Sequence, residues 1–245
     1  MTSLDFAGVP IDVGPEIRDA HRSVWESIAR PGSWWTGPER VAIAAAVRGA
    51  ANCSVCDARK QALSPLAVAG PHEHAGDLPD AAIEVVHQVT RDPGRLSKTW
   101  FESALAAGLS EERYVEALGV VVAVVSIDGF CRGLGVDPHP LPEPQSGEPT
   151  GHRPAGARPD GAWVPMIPVH DATGPEADLF PGGRAPNVAR AMSLVPDAVR
   201  TLKRLSIAHY LPMEQVTDPS ARRTLDRAQI ELLAGRVSAL NECFY

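Results

Sequence analysis

The sequence predicts an all-α protein made of two helical units joined by a proline-rich linker. Three observations carry this. Helix-length segments bounded by proline, glycine and capping residues follow one another from about residue 14 to residue 137. Residues 138 to 186 then hold 12 prolines in a largely polar stretch. From Asn187 the helical pattern returns and runs to the end of the 245 residues.

The first segment, PEIRDAHRSVWESIARP, begins at Pro15 after Gly14 and stops at Pro31. Proline is suited to the first turn because the amide it lacks would have no intrahelical partner there. PERVAIAAAVRGA begins the same way at Pro38, and PDAAIEVVHQVTRDP lies between Pro79 and Pro93. SKTWFESALAAG and SEERYVEALGVVVAVVSIDGFCRGLG follow. In the latter, Tyr114, Leu118, Val121, Val122 and Val125 share one helical face and predict a buried stripe. Its β-branched residues also suit a strand, but its length and the Ser110-Glu111-Glu112 start favour a helix. Residues 138 to 186 predict an extended linker, within which GAWVPMIPVHD has enough apolar side chains to dock on a domain surface. The second unit opens with NVARAMSLVPDAVRTLKRLSIAHYL and continues with SARRTLDRAQIELLAGRVSALNEC. The expected division is therefore 1–137, 138–186 and 187–245.

An apolar share of 44% is enough for packed cores. The net charge of −7, from 30 acidic and 23 basic side chains, argues against a nucleic-acid partner, which calls for a basic face. MTSLDFAGVP has no basic n-region followed by an apolar run, so no signal peptide is visible. The longest apolar run, residues 117–127, is shorter than the ~20 residues of a membrane span. The expectation is a cytoplasmic protein with no membrane partner. In a reducing compartment its four cysteines suit catalysis or metal binding better than structural cross-linking.

Two cysteine settings carry the chemistry. Cys53 and Cys56 form a Cys-x-x-Cys pair after a helical run. At the start of a helix, unpaired amides and the positive dipole end stabilise a thiolate. A cysteine three residues on lies on the same face and can close a disulfide, so the pair can attack a peroxide and resolve the product. The same spacing is half of a zinc site, with His72 and His74 as candidate partners. A His-x-His pair is tighter than the usual spacing and no second cysteine pair follows, so no metal and no cofactor is assigned. A third reading makes the two cysteines small core side chains, as Cys131 in GFCRGLG is read. His87, on a helix, suits a structural role or a proton relay. The other setting is Glu231 and Cys243, twelve positions apart. Unbroken helix would separate them by about 18 Å. A turn at Asn241 would bring the carboxylate toward the thiol as its proton acceptor. Superposing Cys53 on Cys243 also matches Val47 to Val237, and Asn52 or Asn241 lies just before the cysteine, which suggests an internal repeat.

Glu231, Ser238, Asn241, Cys243 and Tyr245 resemble the active-site helix of the alkylhydroperoxidase AhpD and carboxymuconolactone decarboxylase-like family. The family pattern is Glu, eleven residues, Cys-x-x-Cys, then His four residues later. The resemblance is loose over residues 14–137 and closer over 187–245, and the linker has no counterpart in simple family members. It implies an all-α bundle that usually forms homo-oligomers. The implied function is reduction of a peroxide in the second unit, with Cys243 as one half of the redox pair, Glu231 as proton acceptor and an external thiol as electron donor. The first unit would be a degenerate copy that supports packing, or a thiol relay through Cys53 and Cys56. The first unit departs from the pattern: Val41 stands where the glutamate belongs, with Glu39 nearby, and Lys60 replaces the histidine. The second unit keeps Glu231 and Cys243, and the chain stops at Tyr245, one residue before the second family cysteine. The expected explanation of the stop is a UGA codon for selenocysteine at that place; a cut fragment, a mutated gene and a real C-terminus are the alternatives. The rival function is a non-catalytic helical oligomerisation or binding module with vestigial cysteines.

Overall fold

The computed structural model describes residues 6, 9–74, 76–216 and 218–240. Their ten α-helices are α1 (Pro15–Ala29), α2 (Gly37–Gly49), α3 (Ser54–Gln61), α4 (Asp80–Arg91), α5 (Lys98–Ala106), α6 (Glu111–Gly133), α7 (Asn187–Arg190), α8 (Pro196–His209), α9 (Met213–Val216) and α10 (Arg227–Leu240). No strand occurs among the described residues; the sole β-type contact there is an isolated bridge between Arg158 and Met166.

Local signals set several helix starts. Thr36 accepts a hydrogen bond from the Glu39 amide while the Glu39 carboxylate accepts from the Thr36 amide, a reciprocal cap at the start of α2. Glu39, two residues before Val41, is thus engaged in capping. Ser97 and Ser110 cap α5 and α6.

Helix α6 is the centre of the bundle. It packs against α1, α2, α4 and α8, and around it α8 touches α1, α1 touches α2 and α2 touches α4. This surround explains a departure from the predicted stripe. Tyr114 and Val121 are buried, but Leu118 and Val122 are only partly covered and Val125 is 47% exposed. The covered arc is wider and rotated, taking in Val115, Ala117, Val120, Val124 and Ile127. By length and composition α6 could cross a membrane, but much of it is core here. Two buried carboxylates on α6 meet two arginines of α2. Arg40 donates to Glu116 at 2.5 Å, and Arg48 binds Asp128 through two hydrogen bonds of 2.8 Å. Burial pushes the Glu116 carboxyl above its ordinary range despite Arg40 and the donated Ser33 and Trp34 amides.

Residues 138–186 are mostly irregular, as expected, with three short 3₁₀ turns. The segment is nevertheless more than a spacer. Val164, Met166, Ile167, Leu179 and Phe180 are buried, and all but Met166 join the same hydrophobic core as the helices. Its backbone finds partners on the bundle: the Gln145 amide donates to Ala29 O, Thr150 to Gly32 O and Gly151 to Ser33 O. Irregular backbone can lie against a core when its polar groups are paired in this way. Leu194, Val195, Val199 and Leu205 also belong to that core. Residues 187–209 therefore complete the packing around α6, where the sequence pattern suggested the opening of a separate unit. Helix α10 has no buried residue.

Candidate functional site

Helix α2 ends at Gly49 and runs into a 3₁₀ turn, Ala50–Asn52. Cys53 follows with extended backbone and occupies the N-cap of α3, its carbonyl accepting from the Asp57 amide at 3.1 Å. Cys56 is in the first turn of that helix. Both are free thiols, 0% and 3% exposed. The start-of-helix position predicted for this pair is the observed one.

Two histidines from elsewhere close on the sulfurs. His72 comes from the loop before α4, and His87 from the buried face of α4. The Nδ1 of His72 lies 3.4 Å from both Sγ atoms, and the Nδ1 of His87 lies 3.5 Å from Cys56 Sγ. One ligand-type atom from each of the four residues falls within 4.8 Å of the others. His74, paired with His72 in the sequence reading, is exposed and outside this group. Lys60 is exposed as well.

A second layer holds His72. Its Nε2 lies 2.9 Å from the Glu84 carboxylate, which also accepts from Arg59 Nη1 at 2.7 and 2.8 Å and from Trp100 Nε1 at 3.0 Å. Burial opposes ionisation of Glu84, but these three donors outweigh it and hold its carboxyl down at about 2. An ionised Glu84 can only accept, so its 2.9 Å contact places a proton on His72 Nε2, with Arg59 Nη1 farther from that nitrogen at 3.2 Å. Burial alone would lower the His72 pKa; the hydrogen bonds to Glu84 and Cys53 raise it above the ordinary value. The thiols diverge. Burial pushes Cys53 up, yet the amides of Cys56 and Glu73, with His72, bring it to about 7. Burial, followed by the adjacent Cys53, drives Cys56 to about 12. His87 is depressed to about 4, first by burial and then by His72.

A pocket of about 420 Å³ opens beside the cluster, with Arg59, His72, His74, Glu84 and Trp100 in its wall. Its lining stops at His72 and does not include either cysteine.

The other predicted residues stand apart from this cluster. Glu231 is on the exposed helix α10, where Arg227 Nη2 approaches it at 2.8 Å and the Tyr210 hydroxyl donates to it. Cys243, with Asn241 and Tyr245, lies outside the described residues. Cys131 is fully buried in α6, as read. Sequence reasoning missed Arg59, Glu84 and Trp100. The available signal was Glu84-x-x-His87, a spacing that puts both side chains on one side of a helix.

Comparison with protein-family models, curated proteins and solved structures gives no match for this chain.

Proposed function

We propose that this protein is a cytoplasmic, AhpD-like, thiol-dependent oxidoreductase that reduces a peroxide through a cysteine pair. The observation that carries the reading is the contact of both sulfurs of a helix-start Cys-x-x-Cys with one imidazole that is itself held by a carboxylate. His72 and Glu84 can supply from other elements the proton relay that Val41 and Lys60 cannot. Cys53 thiolate attacks the peroxide O–O bond, forming a sulfenic acid and releasing an alcohol or water as the leaving oxygen takes a proton. The Cys56 sulfur then attacks the Cys53 sulfur, expelling water and closing the disulfide. Two thiols are oxidised and one peroxide is reduced; an external thiol returns the pair to the reduced state. Enclosure of both sulfurs favours a small peroxide such as hydrogen peroxide.

The same reading gives Cys243, with Glu231 as proton acceptor, an equivalent role in a second AhpD-like unit. A non-catalytic oligomerisation module is the second reading. It is favoured by Leu233, Val237 and Leu240, which form an exposed apolar stripe along α10.

Thiol counting in denaturant, before and after hydrogen peroxide treatment of chelator-washed protein, tests the catalytic reading. In a Cys243→Ser background the expected result is loss of two thiols per chain, restored by a dithiol and abolished by adding Cys53→Ser. Unchanged thiol content in the wild-type protein would exclude it.

A further inference from the structure

We propose that Cys53, Cys56, His72 and His87 form a zinc-binding site. Two thiolates and two imidazoles are the donor set of a closed tetrahedral zinc centre. With Zn–S near 2.3 Å and Zn–N near 2.0–2.1 Å, a tetrahedron has nitrogen-to-sulfur edges of about 3.5 Å. Three of the four such edges here measure 3.4, 3.4 and 3.5 Å. The four donor atoms, all within 4.8 Å of one another, are thus already gathered close to the size such a centre needs.

Proton placement points the same way. The Nε2–H of His72 is committed to Glu84, so the lone pair of a neutral His72 is on Nδ1, the atom facing both sulfurs. A carboxylate behind a ligating histidine fixes its ring and its tautomer in metal centres. His87 also turns Nδ1 toward Cys56 Sγ. Hydrogen bonding alone leaves one His72 lone pair serving two thiols, whereas a cation at the centre uses every donor. All four corners are protein atoms, so the ion would hold structure and would not activate water. It would tie the start of α3 and the loop carrying His72 to the buried face of α4.

The site stands on these ligands alone and does not depend on the redox reading, although the two meet at the same sulfurs. A disulfide cannot ligate as two thiolates. Oxidation of the pair by a peroxide takes two electrons from the sulfurs, forms the S–S bond and frees Zn²⁺.

The test uses the full chain, reduced and stripped of metal. Cobalt(II), added as a spectroscopic probe, should bind at one equivalent with intense tetrahedral visible bands and a near-ultraviolet thiolate charge-transfer band, and Zn²⁺ should displace it. X-ray absorption of the zinc form should show two sulfur neighbours at about 2.3 Å and two nitrogens at about 2.0–2.1 Å. Cys53→Ser should lower the charge-transfer intensity and His87→Ala should weaken binding at least tenfold, while Cys131→Ser changes neither. A wild-type protein that binds no cobalt, or binds it with a weak octahedral spectrum, overturns the site. So does a charge-transfer band that survives in Cys53→Ser and is lost in Cys243→Ser. Peroxide then separates the two readings. Zinc release with loss of two thiols supports both. Bound zinc with thiols that stay unreactive after the metal is stripped supports the metal site and ends the redox reading. Thiol loss in a protein that never bound zinc does the reverse.

Discussion

Glu84 accepts hydrogen bonds from three side chains at once, His72, Arg59 and Trp100, and so determines how His72 faces the sulfurs. Glu84→Gln keeps the shape and removes the charge. If His72 ligates a metal, this change should weaken zinc affinity by about 10- to 100-fold, measured by competition with a chromophoric chelator; unchanged affinity would remove Glu84 from the centre. A second histidine cluster carries a pH effect. His21 is fully buried, its Nε2 2.7 Å from that of His209, with Phe130 and His139 packed around it. Burial, then His209 and His139, depress its pKa from 6.5 to about 3. The unfolded chain therefore takes up the proton first as pH falls. The contribution of His21 is complete above about pH 6.5 and is lost progressively toward pH 3. Urea unfolding across that range should show falling stability, and the NMR shifts of the His21 ring should stay those of a neutral imidazole at pH 5. A His21 ring that titrates near pH 6.5 in the folded protein would contradict this. In the first of these clusters the Cys-x-x-Cys was legible, because its geometry is local to one helix start, and the zinc spacing offered His72 beside His74. His87 lies 31 residues from Cys56, the cysteine it contacts. No short-range spacing rule reaches that far, and the nearer His-x-His pair drew attention to His74.

Helix α6 contains two glycines with opposite surroundings. A Cβ on Gly119 would stand 2.9 Å from the Ala198 Cβ of α8, whereas a Cβ on Gly129 meets nothing within 4 Å. Gly119→Val should therefore force α6 and α8 apart and cost about 1–3 kcal/mol. Gly129→Ala should gain up to about 1 kcal/mol through helix propensity alone. Denaturant midpoints of the two variants, moving in opposite directions from the wild type, check the claim. Helix identity was readable from proline brackets and serine caps because those signals act within one turn. The orientation of α6 was not. A stripe at helical spacing predicts one covered face, but neighbours on several sides of a central helix cover Val115 and Val124 and leave Val125 outside.

The core is assembled from distant parts of the chain. Val195, Val199 and Leu205 pack with residues of α1, α2, α4 and α6 in one continuous cluster, and the proline-rich segment adds Ile167 and Leu179. A fragment ending at residue 137 should accordingly lack a cooperative thermal transition and bind a hydrophobic dye. One ending at residue 210 should unfold cooperatively, since α10 buries nothing. Calorimetry of both fragments decides the matter; a sharp transition in the shorter one would show that the first helices close a core unaided. Proline content correctly announced irregular backbone between 138 and 186, but composition cannot report that a few apolar side chains in such a segment are core residues.

The return of α8 to α6 also sets an order in time. More than 60 residues separate the end of α6 from the start of α8. At about 5–20 residues per second, synthesis leaves the α8-facing side of the central helix uncovered for roughly 3 to 12 seconds. During that interval the nascent chain presents an apolar groove bounded by α1 and α6, available to chaperones or to neighbouring nascent chains until α8 emerges and fills it.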